Sequence, residues 1–137
     1  RPTIAGPTVL NWGDARISNM IYRDFAPVAV LDWEMAFLGP GEVDLAWFLF
    51  MNHFLTEGLG IPNLPGFLDR GATAALYGSL AGRPVRDLAY YEVWAAFRFA
   101  AIMLAINQML IEHGQPDGLA GAEGLALNAL AGALERA

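Results

Sequence analysis

The stretch Trp12-Gly13-Asp14-Ala15-Arg16-Ile17-Ser18-Asn19, followed after a second apolar run by Leu31-Asp32-Trp33-Glu34, decides how the chain is read. Three short β-type runs frame it. Thr8-Val9-Leu10 precedes the turn at Asn11 to Asp14, Met20-Ile21-Tyr22 is closed by Arg23-Asp24, and Val28-Ala29-Val30-Leu31 ends at Asp32. Asp14, Asn19 and Asp32 therefore fall at the ends of short strands, with Asp44 beyond them. Strand ends are where loops present side chains while a scaffold holds them still. Three short runs are too little for a sheet domain, and the pattern turns helical after Gly39-Pro40-Gly41.

The rest of the chain reads as helices. Asp44 to Leu55 is apolar on nearly every side, which predicts a fully buried helix. Gly58 to Gly66 predicts a loop. A helix from about Phe67 to Leu80 sets Leu68, Ala72, Ala75, Leu76 and Leu80 on one stripe. Another runs from Asp87 to about His113, with Asp87 suited to cap its start. A last Ala-rich helix, Leu119 to Arg136, spaces Leu127, Leu130 and Leu134 by three and four residues. The expected fold class is α+β and mainly α-helical. Residues 1–42 carry the loops and short β segments, and residues 43–137 form a helical subdomain.

Composition narrows the function. The 137 residues suffice for one compact domain. Eight basic residues, all Arg, against 14 acidic ones give a net charge of −6, which argues against a nucleic-acid partner. The absence of Cys excludes disulfide scaffolds, thiolate zinc sites and Cys nucleophiles. Apolar residues make up 55% and charged residues only 16%, fewer charges than a free-standing surface usually shows. Some apolar surface must therefore meet a membrane or something outside this sequence. Val93 to Ile111 approaches the ~20 residues of a membrane span. Arg98 near its middle would cost ~2.5–3.5 kcal/mol in a bilayer, and Asn107 and Gln108 add to that. The segment is read as a helix buried in protein, with no membrane partner. No signal-peptide pattern opens the chain, and a cytoplasmic location is the default.

Taken singly, Asp14 and Asn19 read as turn residues. Asp32 is harder to dismiss, because a carboxylate ending an apolar run is expensive to bury without a partner or a metal. Together they match the few groups that phosphoryl transfer from ATP requires. One carboxylate orients the attacking hydroxyl, while an Asn and a second Asp hold Mg²⁺ against the phosphates. A nearby cation offsets the charge on the transferring group. Asp14 as base, Asn19 and Asp32 as metal ligands, and Arg16 as the cation supply that set. Arg16 also reads as a solvated charge or a partner of Asp32. Arg98 is expected to pair with a buried carboxylate or to face a substrate cleft. Glu34 is a surface charge, a support behind the metal ligands or a substrate contact. His53 and His113 read as structural, and the four Trp as core. The lack of a Gly-x-Ser-x-Gly elbow removes the usual hydrolase reading.

The segment from Trp12 to Asn19 resembles the catalytic loop of the aminoglycoside phosphotransferase and choline kinase family. Leu31-Asp32-Trp33-Glu34 resembles that family's metal-binding segment, the counterpart of Asp-Phe-Gly in protein kinases. Gly39-Pro40-Gly41-Glu42-Val43-Asp44-Leu45-Ala46-Trp47 and Phe97-Arg98-Phe99-Ala100-Ala101-Ile102 are similar to bacterial members and to the kinase domains fused to acyl-CoA dehydrogenases. The resemblance implies the C-terminal lobe of a protein-kinase-like fold, using ATP and Mg²⁺ on a small-molecule hydroxyl substrate. It implies Asp14 as the catalytic Asp, Asn19 and Asp32 as ligands of the metal and its nucleotide, and Arg16 near the γ-phosphate. Asp44 would brace the catalytic loop through its backbone.

Two positions depart from the pattern. Trp12 stands where the family usually has His, and Glu34 where protein kinases have Gly. Only 13 residues precede Asp14, and there is no Lys. The Gly-rich loop and phosphate-contacting Lys of a kinase are therefore not in this sequence. The expectation is that the N-terminal kinase lobe is absent, that the apolar surplus faces it, and that the fragment alone is inactive. Two rivals are a non-catalytic nucleotide-binding relative and a helical interaction module acting through its apolar face. The negative charge suits a polycationic acceptor, while the apolar helix around Met103 and Leu104 suits a less polar one.

Overall fold

Two antiparallel strand pairs carry the loops of the first third of the chain. β1 (Thr8–Asn11) pairs with β4 (Phe37–Pro40), and β2 (Met20–Arg23) with β3 (Ala26–Val30). The structure, a computed structural model, describes residues 2, 6–115, 118 and 121–137. The β2–β3 hairpin closes through Asp24 and Phe25, both at positive φ (50° and 63°), as a two-residue turn between twisted strands requires. Its register sets Met20 opposite Val30, and the Leu31 N–H donates to the Asn19 carbonyl at 2.8 Å. That pairing brings Asn19 and the Leu31-Asp32 step to the same end of the hairpin.

β4 is an addition to the three strands read from the sequence. Gly39 and Pro40 disguise it, but it pairs only with β1, so Pro40 sits on an edge where its missing N–H matters little.

Helices follow at once: α1 (Glu42–His53), α2 (Arg70–Leu80), α3 (Leu88–Glu112) and α4 (Ala122–Glu135). A π-helical turn, Phe54–Gly58, extends α1 past its expected end. α2 starts three residues later than expected because the Asp69 carboxylate accepts the Ala72 N–H at 2.8 Å and caps the helix there. Asp87 does not cap α3 with its side chain. Its φ of 51° is left-handed, and its backbone carbonyl accepts the Tyr91 N–H instead. Leu119 and Ala120, the expected start of the last helix, lie outside the described residues.

One core joins α1, α3 and α4. Trp47 and Phe50 meet Ala95, Ala96, Phe99 and Ala100, with Ala126 and Ala133 closing from α4. Phe99 lies between Phe50 and Phe54, with ring centroids 5.4 and 4.6 Å away. Each such aromatic pair adds ~0.5–1.5 kcal/mol beyond its burial. Ala15 of the loop before the 3-10 turn packs on the same cluster, so the core also seats that loop.

Several expected helix faces are turned. In α4, Ala126 and Ala133 face inward with Leu130 beside them, while Leu127 and Leu134 are exposed. In α2, Leu76 and Leu80 are exposed, as is Leu68 ahead of it. The first half of α1 is buried, but Leu55 beyond it is not. Of the four Trp, only Trp47 is core; Trp12 is half-buried, and Trp33 and Trp94 are exposed. α3 is long and apolar enough to cross a membrane. It buries Tyr91, Ala95, Ala96, Phe99, Ala100 and Asn107, and leaves Trp94, Phe97, Leu104 and Met109 exposed, so it is not the wholly buried helix expected.

The start of α1 is pinned by charge. Glu42 is 2% exposed, and both its carboxylate oxygens accept from the Arg83 guanidinium. The Arg83 contact holds the Glu42 carboxyl below the usual carboxylate range, against the opposing effect of burial. Gly41 precedes it because a Cβ there would meet the Tyr77 hydroxyl at 2.2 Å.

Candidate active site

The loop after β1 turns at Gly13, whose φ is 91° and where a Cβ would sit 2.1 Å from the Met35 carbonyl oxygen. Only glycine fits there. The turn is then fixed from α1. Asp44 accepts the Trp12 N–H on Oδ2 at 2.5 Å and the Gly13 N–H on Oδ1 at 2.8 Å. Asp44 thus makes the backbone brace expected of it.

Asp14 follows directly and is only 8% exposed. Its Oδ2 accepts from Asn19 Nδ2 at 2.7 Å and pairs with Arg16 Nη2 at 2.9 Å. Its Oδ1 accepts the Trp47 indole N–H at 2.8 Å. The 3-10 turn Ile17–Asn19 brings Asn19 back over the carboxylate, where Nδ2 also approaches the Asp14 backbone carbonyl at 3.3 Å. Asp14, Arg16 and Asn19 therefore form one contact group. Arg16 pairs with Asp14 rather than with Asp32, and its Nε is buried without a hydrogen-bond partner.

Asp32 lies across the hairpin end, exposed, with φ at 62°. A left-handed Asp is a strained choice, and such strain gathers at functional sites. Its side chain makes no hydrogen bond or ion pair among the described residues, but its backbone is held. The Trp12 indole N–H donates to the Leu31 carbonyl at 2.6 Å and to the Asp32 carbonyl at 3.2 Å, and the Trp12 ring lies 6.1 Å from that of Trp33. Trp12 does more than pack; it ties the Asp14 turn to the Asp32 segment. Glu34 is exposed and unpaired among the described residues.

Two contacts escaped the sequence reading. Trp47 is core, yet its indole edge orients Asp14; its place one helical turn after Asp44 on α1 was the available signal. Arg98 does not pair with a carboxylate among the described residues. Its guanidinium stacks 4.5 Å from the Trp47 ring centroid, and Nη2 reaches Met35 Sδ at 3.2 Å.

The donor set fits Mg²⁺. Asn19 Nδ2 is spent on Asp14, leaving its amide oxygen, and Asp32 offers a carboxylate at the same end of the hairpin. Among the described residues no three His, Cys, Asp or Glu side chains gather as a protein-only cage. A cation that keeps several waters and shares its shell with phosphates does not need one. Beside this group an apolar cleft of about 340 Å³ runs between Trp12, Arg16 and Met20 on one side and Phe48, Leu76 and Leu80 on the other. Another cleft, about 550 Å³, lies at the far end of α1 among Asn52, His53, Arg70, Glu92 and Arg136, and includes none of Asp14, Asn19 or Asp32. Burial there pushes the His53 imidazole below its ordinary value.

Comparison with known proteins assigns the chain to a family. The model of the phosphotransferase enzyme family matches residues 1–97, most of the chain, and the chain belongs to that family. A crystal structure from Ralstonia eutropha JMP134, solved at 2.32 Å and described as a candidate aminoglycoside phosphotransferase, is similar at a TM-score of 0.71 with 25% identity. The match covers 93% of this chain and 43% of that one, so this chain spans less than half of its length. The fold is accordingly α+β, mainly helical, with the architecture of the C-terminal lobe of a kinase-like phosphotransferase.

Proposed function

We propose that the chain is the C-terminal lobe of an ATP- and Mg²⁺-dependent kinase that phosphorylates a hydroxyl group of a small molecule. The observation that carries this reading is the state of Asp14. A carboxylate has about four acceptor directions, and three of those on Asp14 are taken by Asn19, Arg16 and Trp47. These three contacts hold the carboxylate in one orientation, as a group that is to receive a proton from an acceptor hydroxyl requires.

In the reaction the acceptor oxygen attacks the γ-phosphorus, its proton passes to Asp14, and ADP leaves. Asn19 and Asp32 would hold Mg²⁺, which when bound neutralises charge on the phosphate oxygens. Arg16, which pairs with Asp14, is proposed as the cation near the transferring group. Trp12 supports a working loop, since it links the Asp14 and Asp32 segments in place of the family's usual His.

We further propose that residues 1–42 and 43–137 act as loop-bearing and helical parts of one lobe. The N-terminal lobe that covers the nucleotide would then lie outside this sequence, with Leu10, Leu38 and Trp33, all exposed, on the surface that meets it. We also propose, from the segments quoted above, that the chain is akin to the bacterial members and the kinase domains fused to acyl-CoA dehydrogenases, and that the reaction runs in the cytoplasm.

The test is Mg²⁺-dependent ATP consumption by the full protein against a panel of hydroxyl acceptors. Asp14→Ala lowers turnover by ~10²-fold or more. Turnover near that of the parent in this variant removes Asp14 from the mechanism. Binding of Mg-ATP without transfer to any acceptor favours the non-catalytic relative.

A further inference from the structure

The long helix α3 has two faces, and the described residues cover one of them. Toward α1 and α4 it buries Tyr91, Ala95, Ala96, Phe99, Ala100 and Asn107. On the other side Tyr90, Trp94, Phe97, Ala101, Leu104 and Ile111 are exposed, and Gln108, exposed too, stands between the last two. The steps along this series are four and three residues in strict alternation. That is the heptad spacing of a seam that meets another helix. The stripe runs about 30 Å along α3, and none of its residues is charged. A helix face turned to water ordinarily carries charged and polar side chains. Three of the residues are aromatic, the kind that gains most from burial. A bilayer does not suit the stripe, because the opposite face of α3 is held against α1 and α4 and the net charge of −6 repels anionic headgroups.

We propose that this stripe seats a helix contributed by the part of the same protein that lies outside these 137 residues. Two observations choose that occupant. More than half of the related Ralstonia eutropha chain has no counterpart here, so the length of chain needed is at hand. Exposed apolar residues also stand on other elements, Leu76 and Leu80 on α2 and Leu10 and Leu38 on the β1–β4 pair. A two-fold contact with a second copy covers one patch of each chain, whereas a further part of the same chain can cover several. The proposal rests on the reading that more of the protein lies outside this sequence. It goes beyond the lobe that covers the nucleotide by setting a helix against the helical part, outside the core that holds Trp47 and through it Asp14.

The full protein is tested with a photo-reactive benzoylphenylalanine in place of Phe97 and, separately, with Leu104→Cys, which adds a thiol to a stretch that has none. Irradiation is expected to join residue 97 to a peptide of the same polypeptide outside these residues, with no doubling of chain mass. Leu104→Cys is expected to react with a thiol reagent about a hundredfold more slowly in the native protein than in denaturant, at every protein concentration. A cross-linked product of twice the chain mass, or protection that vanishes on dilution, assigns the seam to a second copy and overturns the proposal. Labelling within a few-fold of the rate in denaturant leaves the stripe open to water and overturns it as well. A native polypeptide no longer than this chain removes the outside part itself, and its intact mass reveals that without either variant. Turnover of Asp14→Ala is independent of all three readings, so the chemistry assigned to Asp14 and the seam on α3 can each fail alone.

Discussion

Asp14 and Asp32, the two carboxylates of the proposed site, are held in opposite ways. Asp14 is buried, with a neutral amide, an indole and a guanidinium on its two oxygens. Asp32 is exposed, its side chain without a protein partner among the described residues and its backbone strained but anchored by Trp12. The first is organised by the protein itself; on the proposed reading the second would be organised by a ligand. A group that must receive a proton at a fixed point gains from rigidity. One that must share a hydrated ion with phosphates gains from remaining open.

The largest expected effect tests that division directly. Asp14→Ala lowers kcat by ~10²-fold or more while leaving the Mg²⁺ concentration dependence in place. Asp32→Ala instead moves the Mg²⁺ dependence to higher concentration. Kinetics across a Mg²⁺ titration distinguish them, and the same shift in both variants would dissolve the contrast.

Asp44 comes next, because it holds the loop that holds Asp14. Removing its carboxylate leaves the Trp12 and Gly13 N–H groups without their acceptors. Hydrogen bonds to a charged group contribute ~1.5–3 kcal/mol each, so Asp44→Ala is expected to cost about 3 kcal/mol in all. Denaturant unfolding of the parent and variant measures it. A loss under about 0.5 kcal/mol, typical of a surface change, would show that the loop keeps its shape without the brace.

Ligand stabilisation probes the open end. At a hundred times its dissociation constant a ligand stabilises the fold by ~2.7 kcal/mol. Mg-ATP is expected to raise the melting temperature accordingly, with EDTA or Asp32→Ala removing most of the shift. A shift unchanged by Asp32→Ala would place the nucleotide elsewhere.

What the sequence could and could not disclose follows the same division. The Asp14–Asn19 contact and the Asp44 brace were legible because they sit in short segments where local geometry fixes neighbours, and the 3-10 turn brings Asn19 onto Asp14 as that spacing suggests. The helix faces were not. Leu127 and Leu134 were the obvious core candidates, yet α4 approaches α3 through Ala126 and Ala133, since small side chains let two helices pack closely. Leu76 and Leu80 read as core because apolar periodicity reports what a face is suited to bury against, and on α2 that face is uncovered in this chain. Arg98 and Trp47 could not be paired from sequence because their contact joins two helices 51 positions apart and depends on how α3 lies across α1.

The smallest effect is one of pH, and it separates two acids on the same helical turn. Asp44 is spent on the site, whereas Glu42, two residues earlier, is spent on the fold. Arg83 holds the Glu42 carboxyl below its ordinary range in the folded protein. A carboxyl depressed on folding contributes stability that is fully present above its unfolded value, ~4.3, and is lost as pH falls through the folded value. The stability gap between the parent and Glu42→Gln should therefore be flat at neutral pH and close gradually below about pH 4. Arg83→Gln should remove this acid sensitivity even though Glu42 remains, because the guanidinium is the larger cause of the depression. Unfolding curves collected from neutral pH into acid read both variants. A gap that instead widened as pH fell would mean that Glu42 is folded in its protonated form and that Arg83 is not its partner in solution.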